Sequence, residues 1–153
     1  MNFKIKGNIN ISSYVMLISL IVIGIVFSFL TKGIFMSPRN VSQLARQTTI
    51  VGILAIGMMF VIVAGHIDLS VGSVLGFCST IAGVLQVWHG WGTGPTIIVT
   101  ILIGILVGLW NGYWVAYQKM PAFIITLGGL LIFRGAKLGI GKSMSIAPLN
   151  PSF

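Results

Sequence analysis

Five stretches of this chain run for about the length of a bilayer-crossing helix with few or no charged side chains, and no other feature narrows the possible folds as far. They cover residues 13–30, 42–64, 70–88, 96–117 and 122–140. A helix that crosses the hydrocarbon core needs about 20 predominantly apolar residues. The expected fold is therefore an all-α, polytopic transmembrane helix bundle, with residues 1–153 forming one membrane domain.

Composition agrees. Charged residues make up 7% of the chain and hydrophobic ones 56%, whereas soluble domains carry about 25% charge. The net charge of +8 comes from nine Lys and Arg set against a single acid. Those bases are scattered over segment ends, where they suit lipid headgroups, and form no stripe. The bilayer is the expected partner and nucleic acid is not. Cys78 is the only cysteine, so no intrachain disulfide or cysteine-built metal site is possible. It reads as a small apolar packing residue. Lys4 and Lys6 precede the first apolar run. That run is long, lacks a clear cleavage pattern and is followed by further spans, so it reads as a signal-anchor helix.

The single acid, Asp68, lies between the second and third runs, in Gly65-His66-Ile67-Asp68-Leu69-Ser70. An ionisable group beside hydrocarbon must reach water, a cavity or a partner. Gly65 can end the preceding helix, and Asp68 or Ser70 can cap the next by accepting bonds from free backbone N–H groups. The same turn can face a transport path or a moving interface; the two readings are compatible.

The remaining segments divide at their punctuation. Thr31-Lys32-Gly33 ends the first helix, and residues 37–40 form a turn with Asn40 as cap. Val41, Leu44, Ala45 and Thr48 then recur at helical spacing opposite polar Gln43, Arg46 and Gln47, as expected for amphipathic first turns near the headgroups. Gly72, Gly76, Thr80 and Gly83 form one small-residue face, and Gly104, Gly108 and Gly112 another, which would admit a closely packed helix. Residues 89–95 read as a loop, with Trp88 and Trp91 at the membrane boundary and His89 an interfacial loop residue. Trp110, Tyr113, Trp114 and Tyr117 share a helix face and read as an interfacial belt, the alternative being a platform for stacking a sugar. Asn111, inside the apolar run, either bonds to a neighbouring helix or lines a path. Pro121 stands at a first-turn position of the last helix. Arg134, like Lys137 and Lys142, either snorkels to the headgroups or meets a buried partner. The tail 143–153, with Pro148 and Pro151, reads as loop.

If each span reverses direction, Lys4, Lys6, Asp68 and Lys119 share one side and Lys32, Arg39, His89 and Lys142 the other. Basic charge is then nearly balanced and does not set the orientation. No Walker loop, zinc-ligand pattern or nucleophile–base pair occurs, and one acid excludes a carboxylate dyad. No catalytic residue, metal or cofactor is expected in this chain.

The string GILAIGMMFVIVAGHIDLSVGS at residues 52–73 resembles the permease subunits of bacterial sugar ABC importers, the ribose, galactose, arabinose and xylose group. WNGYWVAY at 110–117, PAFIITLG at 121–128 and FRG at 133–135 agree with it. SPRNVSQLARQ at 37–47 and VWHGW at 87–91 are most similar to the xylose permeases of that group. His66 departs from the small or acidic residue expected at its position. The likeness covers nearly the whole chain, in order.

The resemblance implies a subunit that passes a monosaccharide, xylose or another pentose, through the bacterial cytoplasmic membrane, with a cytoplasmic N-terminus. It implies a second permease subunit, a cytoplasmic ATPase that holds ATP and Mg, and an extracytoplasmic sugar-binding protein. Members of the group are longer, so the chain is expected to be the N-terminal portion of such a permease. Asp68, Ser70, Asn111 and Thr126 are the candidate path or gate residues. Gly65, Gly72, Gly104, Gly108, Gly112 and Pro121 are expected to be structural. Two other readings remain: a stand-alone small oligomeric transporter or channel, and a membrane anchor for other proteins.

Overall fold

The computed structural model describes residues 11–147 and Leu149; Lys4, Lys6, Pro148 and Pro151 fall outside the described residues. Five helices follow one another: α1 (Ile11–Leu30), α2 (Pro38–Val63), α3 (Val71–Val87), α4 (Thr93–Ala116) and α5 (Ala122–Ile140). A single 3-10 turn, Ile34–Met36, lies between α1 and α2, and no strand occurs among the described residues.

The chain divides into two compact units, residues 1–53 and 54–153, with α2 leading from the first into the second. In the first unit, α1 ends in a left-handed turn at Lys32 (φ 51°) and Gly33 (φ 85°). The N–H groups of Lys32 and Gly33 reach back to Phe29 O and Ser28 O, closing the carbonyls that a helix end leaves open. The Thr31 hydroxyl donates to Phe27 O and accepts from Phe35 N–H, and the Phe27 and Phe35 rings lie 5.8 Å apart. Asn40, expected as a cap, lies inside α2. Its amide donates to Phe35 O at 2.7 Å, while Ser37 Oγ accepts the Asn40 N–H. The helix starts earlier than expected because Pro38 stands where a missing N–H costs nothing.

The second unit is built on α3, which packs chiefly against α5 and then α4. Its buried positions include Ala82, Gly83, Val84 and Gln86. Phe77 of α3 meets Phe133 of α5 with ring centroids 5.4 Å apart. After α5, Lys142 (φ 50°) and Ser143 (φ 53°) turn the chain back along α3, seating Ile146 over Gly83. Residues 93–95, expected as loop, instead form the first turn of α4. Pro95 is tolerated there because first-turn N–H groups have no partner within the helix. Pro121 stands one residue ahead of α5, and its carbonyl accepts the N–H groups of Ile124 and Ile125.

The two glycine faces differ, that of α3 being closely approached and that of α4 not. A Cβ at Gly72, Gly108 or Gly112 would meet no atom of this chain within 4 Å, and one at Gly104 would only graze Cys78 Sγ. Close approach falls on the rest of the α3 face, where a Cβ at Gly76 would lie 3.2 Å from Lys137 Cδ and one at Gly83 3.1 Å from Ile146 Cγ2, and at Gly129 of α5, whose Cβ would sit 3.3 Å from Ser70 Cβ. Helical spacing identifies which small residues share a face, but not which face another helix covers.

Large apolar side chains cover the outside, among them Phe29, Ile53, Phe60, Leu109 and Leu131. So many exposed large apolar side chains are unsuited to water and suit lipid. Helices α2, α4 and α5 are long and apolar enough to cross a membrane. With 17 residues α3 is shorter, about 25 Å at 1.5 Å per residue, because the polar turn before it takes up chain that would otherwise extend the helix. The chain is a membrane-embedded helix bundle.

Candidate functional site

Four polar residues from three separate segments converge on the turn between α2 and α3. The turn follows from local chemistry. Gly65 takes φ 77° just beyond α2, and the N–H groups of Gly65 and His66 bond to Ile62 O and Val61 O. This left-handed exit releases the chain sideways, and Ile67-Asp68-Leu69 crosses to the start of α3.

Asp68 then organises Ser70. One carboxylate oxygen, Oδ1, accepts both the Ser70 N–H at 2.7 Å and the Ser70 hydroxyl at 2.6 Å. The second distance falls in the range of charge-assisted O–H···O⁻ bonds. Ser70 is the N-cap of α3, yet its side chain bonds to no N–H of the helix. The sequence-based capping role is thus redistributed. Asp68 fixes the cap residue, and Ser70 Oγ, its proton committed to Asp68, faces sideways as an acceptor.

Asn111 of α4 uses that acceptor, its Nδ2 donating to Ser70 Oγ at 3.2 Å. Ser70 is fully buried, and Gly129 makes room for its Cβ. Thr126 of α5 lies below the same turn. Its hydroxyl proton is shared between two acceptors, Ala122 O at 2.8 Å within its own helix and Ile67 O of the turn at 3.3 Å. The arrangement ties the two neighbours of α3 to the turn through polar contacts.

Two cavities meet at this network. One, about 530 Å³, is bounded by Phe60, His66, Gly112, Val115, Ala122 and Thr126. The other, about 280 Å³, is bounded by Leu54, Val71, Leu75, Cys78, Gly104 and Val107. Asp68, Gly108 and Asn111 line both. The Asp68–Ser70–Asn111 chain thus stands between them, and Gly108 adds no side chain at the junction. Asp68 Oδ2, Asn111 Oδ1 and the second Asn111 N–H have no hydrogen-bond partner among the described residues. They amount to two acceptors and one donor, a set that can bond to hydroxyl groups.

Other sequence-based candidates lie elsewhere. The rings of Trp110, Tyr113, Trp114 and Tyr117 contact one another along α4, and Gln118 Nε2 donates to Tyr113 Oη at 2.8 Å. Trp110 and Trp114 border a third groove of about 520 Å³ against α5, which Asn111 and Gly129 also line. His89 Nδ1 lies 3.2 Å from Val84 O at the end of α3, outside both cavities. Two residues at the network had not been singled out: Gly129, visible in the sequence only as one of many glycines, and Ile67, which contributes its backbone carbonyl. Among the described residues no cluster of His, Cys, Asp or Glu could hold a metal ion.

Residues 40–151 match the family model described as "Branched-chain amino acid transport system / permease component". The chain is 49% identical over 143 residues to the Xylose transport system permease protein XylH of Escherichia coli (strain K12), covering 94% of this chain and 36% of that protein. It is 48% identical over 148 residues to XylH of Haemophilus influenzae, covering 97% and 39%. It is 39% identical over 138 residues to the Ribose import permease protein RbsC of Bacillus subtilis, covering 89% and 42%. The chain thus spans roughly two-fifths of the length of these relatives. No solved structure matches it. Carried by a family match over most of its length and by an apolar helical fold, the chain belongs to this family of membrane transport permeases.

Proposed function

We propose that this chain forms part of the permease of an ATP-driven monosaccharide importer in the bacterial cytoplasmic membrane, with xylose or another pentose as substrate. ATP and Mg would be held by a separate cytoplasmic ATPase, and an extracytoplasmic binding protein would deliver the sugar to this subunit and a second permease subunit. A cytoplasmic N-terminus is part of this reading, supported by the resemblance to the family. The named xylose and ribose permeases among the relatives support the substrate class.

The observation that carries the mechanism is the Asp68–Ser70–Asn111 chain between two cavities. A pentose offers several hydroxyl groups, each both donor and acceptor. The free atoms of Asp68 and Asn111 can take such hydroxyls, while the 3.2 Å Asn111–Ser70 bond is long enough to yield. A sugar that supplies a replacement partner for Asn111 removes the penalty of breaking that bond, so passage and separation of α3 from α4 become coupled. Thr126 holds the turn from the α5 side.

The test is uptake of radiolabelled xylose by proteoliposomes containing the full-length protein with its ATPase and binding protein, challenged with unlabelled ribose, galactose and arabinose. ATP-dependent xylose uptake that falls in Asn111→Ala and Asp68→Ala supports the reading. Wild-type uptake in both variants removes these residues from the path. ATP-independent uptake by residues 1–153 alone would favour a stand-alone transporter.

A further inference from the structure

One polar side chain on the wall of the larger cavity, His66, takes no part in the Asp68–Ser70–Asn111 chain. It stands directly after Gly65, whose φ of 77° turns the chain out of α2. Its backbone N–H bonds to Val61 O at 3.1 Å, which fixes the residue within the turn. The side chain itself is exposed. His66 lines the cavity of about 530 Å³ together with Asp68, Asn111 and Thr126. It does not line the smaller one of about 280 Å³, whose walls beyond the network are apolar or small.

A sugar hydroxyl has one proton to give and two lone pairs to receive with. A site that holds several hydroxyls must therefore supply donors as well as acceptors. The network is short of donors. Asp68, as a carboxylate, only accepts. Asn111 keeps one N–H after the other goes to Ser70 Oγ. Ser70 gives its proton to Asp68. Thr126 shares its proton between Ala122 O and Ile67 O.

A neutral imidazole has one N–H donor and one acceptor nitrogen. In either tautomer it adds a second donor to this cavity, and its acceptor nitrogen can take a hydroxyl proton. A lysine or arginine at the same place would bring a permanent cation that competes with Ser70 for the Asp68 carboxylate; a neutral imidazole does not. The rest of the lining is apolar, with Phe60, Val115 and Ala116 among it. An apolar enclosure of about 300–1,000 Å³ with a few polar groups is the usual character of a small-molecule site. Phe60 can take the C–H groups of a sugar ring while the polar set takes its hydroxyls.

We propose that the larger cavity is where the monosaccharide is held beside Asp68 and Asn111, with His66 as the donor that completes the set of hydroxyl partners. His66 is thereby a specificity residue of the sugar path proposed above, on which this inference rests. The loss of one such hydrogen bond corresponds to about a three- to tenfold weaker hold on the sugar. Contact with His66 can be read without transport.

The experiment is carbethoxylation of histidines by diethyl pyrocarbonate in the full-length protein in nanodiscs, read by peptide mass spectrometry. Xylose, ribose and arabinose are added in turn, with sucrose at equal osmolarity as control. His66 is expected to react in the sugar-free protein and several-fold more slowly under at least one of the three pentoses. His89, outside both cavities, is expected to react equally throughout. In reconstituted uptake, His66→Leu should lower the rate about three- to tenfold, and His66→Gln, which keeps a donor and an acceptor, should retain most of it. An unreactive His66 in the sugar-free protein, labelling indifferent to all three pentoses, or wild-type uptake in His66→Leu overturns the inference. If Asp68→Ala and Asn111→Ala still lower uptake in that event, the proposed path stands without His66; if they do not, the path falls with it. Should His66→Leu fail to insert, labelling of the wild-type protein decides.

Discussion

The Asn111 side chain on α4 donates to Ser70 Oγ at the start of α3, joining residues 41 positions apart in sequence across 3.2 Å. Ser70 can accept because its own proton is held by Asp68. The short Asp68–Ser70 contact therefore sets the polarity of the longer one, and the strength of each depends on the other.

Replacing Asn111 by Leu removes the interhelical donor and fills part of both cavities. Hydrogen bonds between membrane helices contribute about 0.6–1.7 kcal/mol. The thermal midpoint of the detergent-solubilised protein, followed by tryptophan fluorescence, is expected to fall by a few degrees. An unchanged midpoint would show that the 3.2 Å contact contributes nothing to the fold.

Asp68→Ala deletes both bonds that fix Ser70, each to a charged acceptor and worth about 1.5–3 kcal/mol in a buried setting. Asp68 is only half-buried, so the combined loss is expected near the lower figure. Asp68→Asn keeps an oxygen in the same place and should lose about half as much. In the full-length protein, sugar uptake should follow the same order, with Asn above Ala and membrane insertion intact in both. Equal behaviour of the two variants would disprove the special part given to the carboxylate oxygen.

Gly65 and Gly72 make a paired test of backbone conformation. Gly65 holds φ 77°, where an L-residue costs about 1–2 kcal/mol. Gly65→Ala is therefore destabilising even though space is open around it. Gly72 is helical and equally open, so Gly72→Ala should stabilise by about 0.5–1 kcal/mol through the unfolded chain. Chemical unfolding of the two variants in mixed micelles checks the opposite signs.

Gly108 and Gly129 separate path from packing. A Cβ at Gly108 meets nothing within 4 Å, whereas one at Gly129 meets Ser70 Cβ at 3.3 Å and Phe133 Cε2 at 3.5 Å. Gly129→Leu should force α3 from α5 at a cost of about 1–3 kcal/mol. Gly108→Leu should leave the midpoint unchanged or raised, since leucine favours helix over glycine, yet cut sugar uptake by occupying the junction of the two cavities. Loss of folded protein in Gly108→Leu would place a packed helix against that face.

The sequence by itself determined the fold class. Runs of bridging length with few or no charges leave helices as the way to satisfy backbone groups in lipid, and Gly65 and Pro121 mark where helices end or begin because their backbone chemistry acts locally. The Asp68–Ser70 contact was also within reach of the sequence, since its partners stand two positions apart. The tertiary structure alone decided that Asn111 and Thr126 come to that turn, from 41 and 59 positions away. It also decided that Gly129, rather than the better-spelled Gly104–Gly108–Gly112 face, takes the close contact. Periodicity fixes which side chains share a helix face. It carries no information on the rotation and stagger of one helix against another, and those depend on side-chain packing between segments distant in sequence.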